Sequence, residues 1–207
     1  MKSEKTLNKV MDFEAARSYA EKRLREELSK TLYYHSFEHT LDVCNAALRL
    51  AELQGIDETD TMLLLTAAWF HDIGFLEQYK DNEPLAAELA GKVLPRFNYS
   101  DEQIQIVQGC IMATRLPQTP KTLLEKLMCD ADLDYLGRDD FYSTALNLRR
   151  EWFENGIYTF SLKSWYELQL KFMSGHQYHT KVALQLREEK KQFHIKELNE
   201  LLGFPLK

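Results

Sequence analysis

Met62-Leu63-Leu64-Leu65-Thr66-Ala67-Ala68-Trp69-Phe70-His71-Asp72-Ile73-Gly74 decides how the rest of this chain must be arranged. From Met62 to Phe70 nearly every position is apolar, so a helix built from these residues has no polar face to give to solvent. Such a helix belongs in the centre of a bundle, with neighbours on all sides. The residues from Asp57 to Thr61 supply cap candidates ahead of it, and Gly74 is placed to terminate it. The run is far too short to cross a bilayer.

Outward from that helix, apolar residues recur at helical spacing on both sides. Phe13, Ala16, Ala20 and Leu24 predict a surface helix over about 12–29, and Val43, Ala46, Ala47 and Leu50 predict another over about 37–53, stopping before Gly55. Further helices are expected at about 84–94, 101–114, 120–136, 139–155, 163–173 and 177–202. Pro84 and Pro120 stand where first-turn prolines are tolerated, and Ser100 offers a cap. With 8 glycines and 5 prolines lying mostly between these stretches, little room remains for a sheet. The predicted fold class is all-α, without internal repeats. From about Arg138 the inward stripes are rich in Trp, Tyr and Phe. That portion reads as a helical extension, whose apolar stripes would serve a core or a partner equally well.

A length of 207 residues suits one domain with a sizeable core, and 44% hydrophobic with 28% charged residues is an ordinary globular composition. A net charge of −6 argues against non-specific attraction to nucleic acid or to an anionic membrane, since both draw on clustered positive charge. The N-terminal stretch, 1–28, alternates Lys, Arg and Glu and reads neither as a secretory signal nor as an anchor. Cys44, Cys110 and Cys129 are widely separated and form no CxxC pair. They read as buried fillers in a protein of the reducing cytoplasm.

Polar residues that interrupt apolar stripes carry the chemistry, because an unpaired buried charge is costly. His39 shares a face with Val43, Ala46, Ala47 and Leu50. His71 and Asp72 end the apolar helix. Asp132 continues the series Leu124, Met128, Asp132, Leu136. Asp130 and Asp134, by the same periodicity, project to the other side and are expected to be solvated. A lone inward His is more often a hydrogen-bonded core residue than a ligand, and a lone Asp is usually a cap or half of an ion pair. Two imidazoles and two carboxylates turned to one interior point instead to a shared divalent metal.

The ordered set His39, His71-Asp72 and Asp132, within Tyr34-His35-Ser36-Phe37-Glu38-His39-Thr40, Trp69-Phe70-His71-Asp72-Ile73-Gly74 and Cys129-Asp130-Ala131-Asp132-Leu133-Asp134, resembles the HD superfamily of metal-dependent phosphohydrolases. The resemblance implies an HD helical bundle with a C-terminal extension: an N-terminal helix within 1–29, a metal-binding core at 30–140 and a helical extension of the same domain at 141–207. It implies hydrolysis of a phosphate ester of a nucleotide or other small metabolite by a metal-activated water, with His39, His71, Asp72 and Asp132 as ligands and Asp72 also orienting the water. Such ligands suit one divalent ion per chain, Mn, Fe, Co, Ni, Zn or Mg. A single ion is expected because no histidine lies between Asp72 and Asp132, where two-metal relatives place extra ligands. The same gap disfavours an oxygenase on this scaffold. No Glu-Asp pair comes soon after the doublet, as guanosine polyphosphate hydrolases would require.

Lesser candidates each have a plain alternative. His35 stands one turn before His39 and either contacts ligands and substrate or forms the helix entrance. Glu83 is a candidate general acid or base, or a helix-cap residue, and lacks the His that usually precedes it in the family. Arg115 and Arg138 are candidates to hold substrate phosphate, or solvated surface groups. His176 and His179 are read as packing or capping groups at the start of the last helix. The departure around Glu83 keeps open a non-catalytic, metal-containing ligand-binding or regulatory HD module.

Overall fold

The structure is a computed structural model and describes residues 10–159 and 161–203. Residues 1–9 of the expected N-terminal unit and 204–207 of the extension lie outside the described residues. Nine α-helices and no strand occur among the described residues: α1 Phe13–Glu27, α2 Phe37–Gln54, α3 Glu58–Phe70, α4 Asn82–Val93, α5 Asp101–Ala113, α6 Leu123–Asp132, α7 Phe141–Glu154, α8 Leu162–Gly175 and α9 Lys181–Leu202. The all-α expectation holds. No described helix is long and apolar enough to cross a membrane.

The apolar run is the central helix α3, with α1, α2, α5 and α6 packed round it. Leu63, Leu64, Ala67, Ala68 and Phe70 are sealed from solvent. The small side chains of Ala67 and Ala68 let neighbouring backbones come close. Thr66, the one polar residue inside the run, is satisfied by the Met62 carbonyl at 2.7 Å and by the Tyr99 hydroxyl at 2.7 Å. Asp57 caps α3 by accepting from the amide of Asp60 at 2.8 Å. Ser36 caps α2, Ser100 and Gln103 form a capping box on α5, and Thr122 with Glu125 another on α6. Gly55 closes α2 at φ 72°, as expected of a left-handed terminating residue.

A second core joins the C-terminal helices to the first part of the chain. Phe141, Ala145, Trp165, Met173 and Leu198 pack against Tyr34, Leu133, Tyr135 and Leu136. All three cysteines are free and buried, in keeping with the filler reading.

Several local expectations are corrected. Gly74 does not end α3 by a left-handed turn. It lies in a short 3-10 turn, Ile73–Leu76, and is required because a Cβ there would stand 2.0 Å from the Asn82 carbonyl oxygen. Pro84 is the third residue of α4 rather than the first, since the helix starts at Asn82 behind Asp81 at φ 56°. The first turn needs no proline N–H in any case. The stretch 120–136 is not one helix: the capping box delays α6 to Leu123, and a separate 3-10 turn, Asp134–Gly137, comes after it. The last helix starts at Lys181 rather than near 177, capped by Thr180.

The Gly74 contact gives a direct test. Gly74→Ala is expected to lose about 2 kcal/mol of stability in denaturant unfolding, as overpacking against backbone typically does. Gly175→Ala, with open space around it, is expected to be neutral within about 0.5 kcal/mol. Equal stability of the two variants would refute the close-approach reading.

Candidate metal centre

Three helix ends meet at one point. His39 is the third residue of α2, its amide donating to the capping Ser36 Oγ at 3.3 Å and its ring lying 4.6 Å from that of Tyr34. His71 follows the last residue of α3. Its Nδ1 donates to the Ala68 carbonyl at 2.8 Å, leaving the Nε2 lone pair for the centre. Asp72 leaves the helix at φ −102°, ψ 4°, and Asp132 is the last residue of α6. Carboxylates at the C-terminal ends of α3 and α6 meet partial negative charge from the helix dipoles, so a cation is favoured there.

The separations suit ligands of one ion. His71 Nε2 lies 3.1 Å from Asp72 Oδ2 and 3.6 Å from Asp132 Oδ1; His39 Nε2 lies 3.5 Å and 3.3 Å from the same two atoms. Metal bonds of about 2.0–2.2 Å set adjacent ligands about 3.0–3.5 Å apart. His39 Nε2, His71 Nε2 and Asp72 Oδ2 are buried and form no hydrogen bond, although they lie so close together. His39, His71 and Asp72 offer atoms within 4.8 Å of one another. Buried polar atoms that converge without bonding one another call for a shared partner, and a divalent ion fits that role by charge and donor type.

The same crowding perturbs the protonation of these groups. Burial opposes charge on His71, but the Asp72 carboxylate outweighs it and raises the pKa to about 9. Burial likewise works against ionised Asp72, while His71 and the neighbouring imidazoles hold the carboxyl well below its usual range.

The centre opens into a cavity of about 320 Å³. Asp72 and Asp132 line it with His35, Asn82 and Glu83, and Leu148, Trp152, Leu168 and Phe172 line it as well. His35 precedes α2 rather than belonging to it. Its ring stacks on Phe75 at 4.1 Å, and its Nδ1 lies 2.5 Å from Glu151 Oε1. Glu151, fully buried, also accepts from the amides of Tyr34 and His35 at 2.8 and 2.9 Å and from the Tyr79 hydroxyl at 2.5 Å. Sequence reasoning missed it. The signal was present, for Glu151 stands three residues after Leu148 on the stripe that carries Phe141 and Ala145.

The two arginines do not reach the cavity wall. Arg115 is paired with Asp81, which does line the cavity. Arg138 is held by Asp42 at 2.9 Å and by Asp140, with its carbonyl accepting from His194 Nε2 at 2.8 Å. Asp130 and Asp134 are not solvated. Asp130 accepts from the amides of His179 and Thr180 and from the Thr180 hydroxyl, and Asp134 is gripped by Arg49 and Arg187. His176 ends α8 instead of opening the last helix, and it lines a neighbouring open cavity with His179, away from the metal ligands.

Glu151 permits a pH-resolved test. Burial raises its pKa, but the hydrogen bonds from His35 and Tyr79 more than offset this and hold it below the ordinary 4.5. A carboxyl depressed by folding adds stability above its ordinary pKa, and that contribution is lost as pH falls through the depressed value. Glu151→Gln is therefore expected to cost about 2–3 kcal/mol near neutral pH and progressively less in acid. A cost independent of pH would show that the charge of Glu151 is not what matters.

Residues 36–134 match the HD domain family. An uncharacterized protein of Clostridium beijerinckii is 27% identical over 103 residues, a match covering 47% of this chain and 63% of that protein. The chain thus spans less than two thirds of that relative's length. Among solved structures, a predicted HD superfamily hydrolase from an uncultured Thermotogales bacterium superposes with a TM-score of 0.63 at 17% identity, covering 98% of both chains. Bacillus subtilis YpgQ, in complex with ADP, gives a TM-score of 0.64 at 18% identity over 92% of this chain and 93% of its own. At such identities the likeness is one of fold, and it extends beyond the matched segment into the C-terminal helices.

Proposed function

We propose, from the match of residues 36–134 to the HD domain family, that the chain is a metal-dependent phosphohydrolase acting on a phosphate ester of a nucleotide or other small metabolite. The observation that carries the reading is the set of buried, hydrogen-bond-free atoms His39 Nε2, His71 Nε2 and Asp72 Oδ2 beside Asp132 at the head of a cavity. His39, His71, Asp72 and Asp132 would hold one divalent ion. The absence of histidine between Asp72 and Asp132 supports that count. When bound, the ion would polarise the phosphoryl group and lower the pKa of a coordinated water.

The chain's own residues supply orientation and protons. Asp72 would orient the attacking water. His35 is the proton donor to the leaving oxygen: burial opposes its charge, but Glu151 and the nearby carboxylates raise its pKa. A bound ion would neutralise Asp72 and Asp132, whereas the Glu151 contribution would persist. Glu83 lines the same cavity and is a second group able to accept or return a proton. The ADP bound by YpgQ supports a nucleotide as substrate.

A non-catalytic, metal-containing regulatory module draws on one observation. Arg115 and Arg138 are both paired with carboxylates, and neither lines the cavity.

Metal content by elemental analysis, joined to phosphate release from a nucleotide panel with Mn, Co, Ni and Mg, separates these readings. One ion per wild-type chain is expected, lost together with turnover in His71→Ala/Asp72→Ala. His35→Ala is expected to keep the ion and lower kcat about 100-fold. An ion bound without turnover of any substrate would favour the regulatory module, and no site-dependent ion after reconstitution would defeat both.

A further inference from the structure

The two imidazoles of the metal centre differ in what holds their outer edges. His71 is fixed from behind, its Nδ1 donating to the Ala68 carbonyl at 2.8 Å. His39 has no such support: its Nε2 is sealed at the centre, whereas its Nδ1 is not sealed and makes no hydrogen bond among the described residues. An imidazole that ligates a metal through one nitrogen almost always donates the other N–H to a carboxylate, a carbonyl or a water, which fixes the ring. His39 is absent from the wall of the cavity lined by Asp72 and Asp132. It lines a second cavity instead, of about 380 Å³, with Glu38, Asp42, Thr144 and Asn147, and Tyr34 belongs to the walls of both. The open edge of the His39 ring, with Nδ1, therefore faces this second cavity.

Asp42 is singled out among the groups there. It stands three residues after His39 on α2, so the two share a helix face with their Cβ atoms about 5–6 Å apart. Helical side chains lean toward the N-terminus, which brings the Asp42 carboxylate back over the turn that carries His39. It is also held in place. Arg138 Nη2 donates to Asp42 Oδ2 at 2.9 Å, and the same guanidinium is anchored by Asp140. Glu38, adjacent to His39 in sequence, is turned about 100° round the helix from it. We infer that Asp42 is a positioning residue of the metal centre: its carboxylate, fixed by Arg138, takes through one water the hydrogen bond donated by His39 Nδ1–H, and so sets the tautomer and the angle of that ring. The inference rests on the metal-centre reading and adds to it a group beyond the four ligands. The second cavity has ample room for a water, which needs only about 10–15 Å³. Arg138 thereby serves the centre without touching phosphate, since it holds the carboxylate that orients a ligand.

Manganese affinity, measured by competition with a chromogenic chelator, and the visible spectrum of the cobalt-loaded protein test this without reference to turnover. The Asp42 side chain is 55% exposed, so Asp42→Ala is expected to unfold thermally as wild type does when both are free of metal. Asp42→Ala is expected to weaken manganese binding about tenfold and to shift the cobalt bands. Asp42→Glu returns a carboxylate to reach of the same water and is expected to recover most of the affinity. Glu38→Ala removes an equal charge from the wall of the same cavity, and its affinity is expected to stay within about twofold of wild type. Equal losses in Asp42→Ala and Glu38→Ala would reveal a general effect of charge and overturn the assignment. Wild-type affinity and spectrum in Asp42→Ala would overturn it as well. Wild-type protein that binds no ion would instead remove the metal-centre reading, and this inference with it.

Discussion

Two imidazoles and two carboxylates share a space that water scarcely reaches, and most of the fold can be understood as the means of bringing them there. His71 is 1% exposed and Asp72 7%. Groups so placed are costly to bury, and their facing atoms are not aligned to hydrogen-bond one another. The central helix has to be apolar on every side so that its C-terminal end, and nothing else, is polar. The Ser36 cap fixes where α2 starts and therefore where His39 stands, and the end of α6 fixes Asp132. A cation is the one partner that satisfies both carboxylates, the two ring nitrogens and the negative ends of two helices together.

The C-terminal helices are tied to this centre through polar contacts as well as apolar ones. Glu151 on α7 reaches back to Tyr34 and His35, and Tyr79 joins it from beyond α3. One buried carboxylate thus aligns the segment before the first ligand helix with the loop after the ligand doublet. Asp134 does comparable work behind the centre, where Arg49 of α2 and Arg187 of α9 converge on it. Removing α7–α9 would leave the four ligands in sequence yet strip His35 of its orienting partner. The superposition with the Thermotogales and Bacillus proteins takes in these C-terminal helices as well as the matched segment.

Periodicity reports some features of a fold and is blind to others. An apolar run without a polar face requires burial whatever surrounds it, so α3 and its terminal His71-Asp72 could be read directly. His39 and Asp132 were legible because each interrupts an apolar stripe. Asp130 and Asp134 were not. A single helix was expected through residue 136, but α6 stops at Asp132 and a tighter turn redirects the chain beyond it. Their partners, Thr180 and Arg187, also stand some fifty residues away in sequence. Gly74 carried the right signal for the wrong reason, since a glycine needed for a left-handed turn and one needed for close backbone approach look alike in one dimension. Arg115 and Arg138 suggested phosphate contacts because guanidinium suits phosphate, yet each has a carboxylate of its own within reach.

A cation at the point where α2, α3 and α6 converge is the central claim. Anomalous diffraction from crystals of the full chain grown with manganese, recorded on either side of the metal absorption edge, addresses it directly. One strong anomalous peak per chain is predicted, bonded to His39 Nε2, His71 Nε2, Asp72 and Asp132 at about 2.0–2.3 Å. A peak elsewhere, or density for nothing but water among those four side chains at saturating metal, would contradict it.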